Sequence, residues 1–360
     1  MSQVLRVEGL VKDFAGRRGV LDWVRRHPAR PVRALDGVSF ELARGEVLAL
    51  VGESGCGKTT TANLLLGLLA PTAGRVLVDG DEVGRLSGRQ LRALRRRVQM
   101  VFQDPYESLN PRMRVRDIVA EPLRVHRVSA SEAELHERVE HALTQAGLTP
   151  VDAFLHRYPF ELSGGQRQRV VIAAALALEP AVLIADEPVS MLDVSIRAEI
   201  LNLLGRLARE EGIAILMITH DLSTVASYAD RIAVMYLGRI VEEGPTRRVI
   251  DRPAHPYAQA LLSVVPIPDP SVRRRPVILG GETPDPSRIP SGCRFHPRCP
   301  LAFDRCPRVD PPLMDAGPGH RAACLLVGDP VRSGSAEEGT EGGERDRGAA
   351  ESGGTQPHEA

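Results

Sequence analysis

Gly52-Glu53-Ser54-Gly55-Cys56-Gly57-Lys58-Thr59 directly follows the apolar run Val47-Leu48-Ala49-Leu50-Val51 and opens a helical stretch, Thr60–Leu69. Strand, G-x-x-x-x-G-K-S/T loop and helix, in that order, are the setting in which such a loop holds phosphate. Its glycines let backbone N–H groups curl around phosphate oxygens, and the helix N-terminus adds its dipole. Lys58 supplies charge to β- and γ-phosphates, and the Thr59 hydroxyl is a ligand for Mg²⁺. Gly52, Ser54, Gly55, Gly57, Lys58, Thr59 and Thr60 are therefore the candidate nucleotide-binding residues. Cys56 reads as a small side chain within the loop, not as a catalyst.

A second signal lies downstream. The apolar run Ala181–Ala185 ends in Asp186-Glu187. A carboxylate at the C-terminal end of a strand can hold Mg²⁺ through water, and its neighbour can polarise an attacking water. Over residues 1 to about 265 the chain alternates β-rich runs with amphipathic stretches. Strands are expected at Glu46–Val51, Val98–Phe102, Val182–Ala185, Ala214–Thr219 and Arg231–Tyr236. Strands alternating with helices predict an α/β fold with a mostly parallel sheet covered on both faces.

Composition sets the limits. With 360 residues there is enough chain for one or two domains. Lys plus Arg equals Asp plus Glu, 46 against 46, which disfavours nucleic acid as a partner held by bulk charge. Only Lys12 and Lys58 are lysines. The apolar runs around 64–70 and 170–178 fall short of the roughly 18 residues of a membrane span. No secretory signal is visible at the start, so the cysteines are not read as disulfides.

Leu162-Ser163-Gly164-Gly165-Gln166-Arg167-Gln168-Arg169 resembles the signature motif of ABC-type ATPases. Gln103 is similar to the Q-loop glutamine of that family, and His220 to its switch histidine. Ser190-Met191-Leu192-Asp193 stands at the D-loop, with Met where Ala is more usual. The resemblance covers about residues 4–265 and implies a P-loop (RecA-like) ABC nucleotide-binding domain with a helical subdomain at about 86–170. It also implies an ATPase using ATP and Mg²⁺. Glu187 would orient or deprotonate the attacking water, while His220, Gln103 and Lys58 complete the catalytic set. Thr59, Gln103 and Asp186 would serve Mg²⁺. Ser163, Gly165, Gln166 and Asp193 would meet nucleotide across a head-to-tail dimer, each ATP lying between one subunit's phosphate loop and the other's signature. Phe14 is either an adenine-stacking aromatic or an ordinary core residue.

Three classes of ABC protein are possible: an importer's energising subunit, a soluble translation or repair ATPase, and an inactive regulatory module. One nucleotide-binding domain without long insertions favours the first, and intact Lys58, Glu187 and His220 argue against the last. Met100–Met113, Asp186–Ile196 and His255-Pro256-Tyr257 resemble oligopeptide and dipeptide importer ATPases, most closely the F-type member of the D/F pair. Nickel and glutathione importers share much of this text and remain alternatives. The resemblance implies a paralogous ATPase partner, two transmembrane permease subunits and, indirectly, an extracytoplasmic substrate-binding protein. The chain would then sit peripherally at the cytoplasmic face of the cell membrane.

From Pro245 onward the texture changes: 18 of the 28 prolines and four of the five cysteines lie there. Residues 266–330 are expected to form a small, loop-rich extension with too little to bury a core of its own. Cys293, Cys299, Cys306 and Cys324, spaced C-x5-C-x6-C-x17-C, predict a metal staple. The family resemblance makes this a 4Fe–4S cluster. Zinc, with His296 or His320 as substitute ligands, and free thiols are the alternatives. Residues 331–360, rich in Gly, Ser, Glu and Arg, read as a disordered tail.

Overall fold

Among the described residues twelve strands run in chain order as β1 (Gln3–Phe14), β2 (Val32–Ala43), β3 (Val47–Val51), β4 (Ala73–Val78), β5 (Asp81–Glu82), β6 (Val98–Val101), β7 (Val182–Asp186), β8 (Ala214–Thr219), β9 (Arg231–Tyr236), β10 (Arg239–Pro245), β11 (Met314–Gly317) and β12 (His320–Ala322). The computed structural model describes residues 2–15, 31–264 and 277–327. The expected boundary near 265 and the tail at 331–360 lie outside them.

The five expected strands become neighbours in one eight-stranded sheet, ordered β11-β12-β10-β9-β3-β8-β7-β6. From β9 to β6 the pairing is parallel. Strand β3 lies between β8 and β9 and is almost wholly buried. Its alternation places Leu48 and Leu50 in one core with Leu64, Leu65, Leu216 and Ile218, and Ala49 and Val51 in another with Tyr236, Val249 and Tyr257. A strand buried on both faces has to be apolar at every position, as the sequence shows.

A second sheet, β2-β1-β4-β5, is antiparallel and closes over the first of these cores through Leu5, Leu10, Leu35 and Phe40. On the opposite side the helices Val115–His126, Glu132–Gln145 and Gly164–Leu176 pack on one another. Their Val119, Leu143 and Ile172 share a core with Leu183, Ile215 and Met217 of the sheet. The helix after the phosphate loop is Lys58–Leu65, shorter than the expected Thr60–Leu69 at its C-terminal end. Gly67, at φ 61°, turns the chain there.

The extension is not held as expected. Strand β12 pairs with β10 and β11 with β12, so the extension lengthens the main sheet by two strands. Phe295 is buried and meets Tyr236 edge-on at 5.3 Å, Tyr257 at 5.4 Å and His255 at 5.6 Å. Arg294 pairs with Asp36 of β2. His320 contacts the buried Glu242 at 2.7 Å. Among the described residues no group of three or more His, Cys, Asp or Glu side chains is placed to hold a metal ion. The order seen in the extension comes from aromatic packing, strand pairing and ion pairs to the neighbouring sheets, which a count of aliphatic residues does not register.

Two predictions follow from this packing. Phe295→Ala should lower stability by about 3–5 kcal/mol and Phe295→Leu by much less, measured by urea denaturation. His255 caps the helix Pro256–Ser263, its Nδ1 accepting from Tyr257 N at 3.0 Å. Burial pushes the pKa of this histidine down from 6.5 to about 3. The unfolded chain therefore takes up a proton that the folded one refuses, so this contribution to stability is full above pH 6.5 and is lost as pH falls towards 3. In His255→Asn, which keeps a capping acceptor, the acid loss of stability over that interval should be shallower in pH-dependent denaturation.

Candidate active site

The phosphate loop leaves the C-terminal end of β3 and enters the helix Lys58–Leu65 with Gly57 as its N-cap, at φ 114°. A Cβ at Gly57 would lie 2.7 Å from the Ala34 carbonyl oxygen, and one at Gly52 2.2 Å from that of Met235. The sheet presses so closely on the loop that glycine is required at both positions. Lys58 Nζ donates to the carbonyls of Gly52, at 2.6 Å, and Glu53, at 3.0 Å. The ammonium is thereby held within the loop.

A cavity of about 710 Å³ opens over the loop. Ser54, Gly55, Gly57, Lys58, Thr59 and Thr60 line its floor, with Asp186, Glu187, Gln103 and His220 on one wall. Phe14 lines it too, 37% exposed, with Lys12 Nζ 5.2 Å from its ring centroid. At that exposure Phe14 is not part of the core.

Glu187 organises that wall. Its Oε2 accepts from Gln103 Nε2 at 3.0 Å, and its Oε1 meets His220 Nδ1 at 2.8 Å. These three residues come from the ends of β6, β7 and β8, which parallel pairing brings side by side. Glu187 itself sits at φ 46°, an uncommon conformation for a side chain of this kind, and its N–H donates to Ile218 O at 2.8 Å. Burial, and next the charge of Glu187, push the Asp186 pKa up, while Lys58 and a hydrogen bond from Thr59 oppose the rise.

The signature residues do not line this cavity. Ser163 caps the helix Gly164–Leu176: its Oγ accepts from Gln166 N at 3.3 Å, while Gln166 Oε1 accepts from Ser163 N at 3.1 Å. Gly165 is buried against Ile196, and Asp193 stands at the N-cap position of the helix Val194–Glu211, its side chain making no capping hydrogen bond.

The family described as ABC transporter matches residues 35–190, and that described as the C-terminal region of the oligopeptide/dipeptide transporter matches 241–306. Over 321 residues the chain is 50% identical to a probable peptide ABC transporter ATP-binding protein of Sinorhizobium fredii, covering 89% of each. This chain belongs to the ATP-binding subunits of the oligopeptide/dipeptide ABC transporter family. The subunit is also 45% identical to the oligopeptide transport ATP-binding protein AppF of Bacillus subtilis over 90% of this chain and 97% of that one. Among solved structures it is similar to cbiO1 of Clostridium perfringens, part of an ABC transporter complex, at TM-score 0.61 and 32% identity over 70% and 92% of the two chains. A dimeric ATP-binding cassette bound to ADP and Pi in a post-hydrolysis state matches at TM-score 0.58 and 30% identity, over 68% of this subunit and 99% of that chain.

Motif reading missed several residues of the site. Pro286 lines the cavity. Tyr257 accepts from Glu53 N at 2.9 Å, and Arg298 and Thr283 bind the Glu53 carboxylate. Burial works to raise the Glu53 pKa, but Arg298 and Thr283 more than offset it and hold the carboxyl below its ordinary value. Only His255-Pro256-Tyr257 carried a signal, and that as family text without a contact. The four extension cysteines lie near enough to influence one another. Burial pushes Cys299 and Cys324 up to about 11 and raises Cys293 as well.

Gly57→Ala tests the close packing of the loop. It should cost about 1–3 kcal/mol and weaken MgATP binding, so that thermal melts drop without nucleotide and the upward shift on adding MgATP shrinks.

Proposed function

We infer that this subunit hydrolyses ATP to energise import of di- and oligopeptides through a membrane ABC transporter. One observation carries the catalytic part: Glu187 held between Gln103 and His220 at the mouth of a phosphate-loop cavity. Held this way, the Glu187 carboxylate faces the space above the loop and can orient a water for attack on the γ-phosphate. His220 fixes one carboxylate oxygen and Gln103 the other, so orientation costs nothing at the moment of reaction. Lys58 and the loop N–H groups hold the phosphates, Thr59 and Asp186 would serve Mg²⁺, and Phe14 would receive the base. When bound, Mg²⁺ neutralises phosphate charge.

Ser163, Gly165, Gln166 and Asp193 point the reading to a head-to-tail pair, because a helix N-terminus suited to phosphate stands outside the subunit's own cavity. The paralogous partner of a D/F pair is the proposed second half. Phe102 and Tyr106, 51% and 57% exposed, flank Gln103 in the chain and, with the helical subdomain, are the proposed docking surface for permease subunits. Among the described residues no helix is long and apolar enough to cross a membrane, and peripheral attachment at the cytoplasmic face is the reading this supports. Peptide as cargo is supported by the names of the relatives. Nickel and glutathione are the competing cargoes. A 4Fe–4S cluster or zinc on Cys293, Cys299, Cys306 and Cys324 is supported by spacing and resemblance alone. Metal analysis of anaerobically purified chain decides among about four irons, one zinc and four alkylatable thiols.

Glu187→Gln should leave MgATP binding nearly intact while turnover in the assembled transporter falls about 100- to 1,000-fold. Unchanged turnover would remove Glu187 from its role. A deletion strain should lose uptake of labelled di- and oligopeptides. Normal peptide uptake with lost nickel uptake would reassign the cargo.

A further inference from the structure

The phosphate loop is gripped from outside by residues that belong to no nucleotide-binding motif. Glu53, second in the loop, is held at its main chain and at its side chain. Its N–H donates to the Tyr257 hydroxyl at 2.9 Å. Its carboxylate receives a forked pair from Arg298, Nη1 to Oε2 at 2.8 Å and Nη2 to Oε1 at 3.1 Å. Thr283 Oγ1 donates to the same carboxylate at 2.6 Å and accepts from Arg298 Nη1 at 3.2 Å.

Arg298 is itself fixed. It ends the short turn His296–Arg298, and its N–H donates to Phe295 O at 3.0 Å. Phe295 is anchored in the aromatic cluster with Tyr236 and Tyr257. The Arg298 side chain is only 9% exposed, with the guanidinium 6.0 Å from the Tyr236 ring centroid. A planar fork on a carboxylate demands both position and angle, which a lysine ammonium cannot reproduce.

Glu53 stands between this fork and the lysine of the loop. Its carbonyl, with that of Gly52, accepts from Lys58 Nζ. Pro286, three residues beyond Thr283, lines the nucleotide cavity, whereas Arg298 does not. The grip therefore acts on the shape of the loop and leaves Glu187, Gln103 and His220, at the far ends of other strands, untouched.

We propose that Arg298 is a positioning residue for ATP: by gripping Glu53 it holds the phosphate loop in its binding shape, so that the C-terminal extension sets the subunit's affinity for MgATP. This rests on the ATPase reading above and adds to it a control point that touches no phosphate. Loss of the fork lets the loop sample other conformations, and binding then has to restore the productive one.

The test uses the full chain, with MgATP titrated calorimetrically, and the assembled transporter for KM and kcat. Arg298→Ala should raise Kd and KM about tenfold, the factor that one charge-assisted contact is worth, with kcat changed less than about twofold. Arg298→Lys should recover part of the loss. Glu53→Ala should match Arg298→Ala, and the double variant should be no worse than either single one. Unchanged Kd and KM in folded Arg298→Ala, or additive losses in the double variant, would overturn the proposal. If Arg298→Ala fails to fold, Arg298→Lys with Glu53→Ala completes the same cycle and the same two outcomes decide. A wild-type chain that bound no MgATP would overturn the ATPase reading and this proposal with it.

Discussion

A loop that binds phosphate has to keep several backbone N–H groups aimed at empty space, and it can do so only if everything beneath it is rigid. Here the support is β3, the strand flanked on both sides by parallel neighbours and buried on both faces. The Met235 and Ala34 carbonyls press on the loop at Gly52 and Gly57, leaving no room for a Cβ. The rest of the molecule follows from that placement. Strand β8 lies beside β3 and delivers His220, β7 pairs with β8 and delivers Glu187, and β6 beyond them delivers Gln103.

The edge of the sheet raises a different physical problem. Strand β10 would expose unpaired backbone groups on its outer side, and β12 covers part of that edge with antiparallel bonds. Behind it, Glu242 is a fully buried carboxylate. It accepts from Ala254 N and His255 N, both at 2.8 Å, and contacts His320 Nε2 at 2.7 Å. A buried carboxylate without such partners would be costly, so the three contacts bind β10, the turn before the helix Pro256–Ser263 and the extension into one unit. This network reaches the phosphate loop through Tyr257, which follows the same turn. The extension is thus part of the structure around the nucleotide site and not an appendage.

Much of this was legible along the chain. The five parallel strands were visible because strands buried on both faces must be apolar throughout, and their ends carried Gln103, Asp186-Glu187 and His220. Short-range chemistry was equally plain: a Gly-rich loop between an apolar strand and a helix is a local pattern that needs no tertiary partner to be recognised. The extension was misread for a definable reason. Counting aliphatic residues ignored Phe295, whose burial depends on Tyr236 and Tyr257 from elements far away in sequence, and ignored Arg294 and His320, whose partners Asp36 and Glu242 are equally distant.

By itself the sequence determined the α/β class, the phosphate loop and the family, because each rests on periodicity or on residues within a few positions of one another. Only the tertiary structure decided that Glu187 is held between Gln103 and His220, that the signature residues stand outside the cavity, and that Arg298 grips Glu53 across 245 positions. Pairings of that kind depend on where strands and turns meet in space, and a forked ion pair leaves no periodic trace in the chain that forms it.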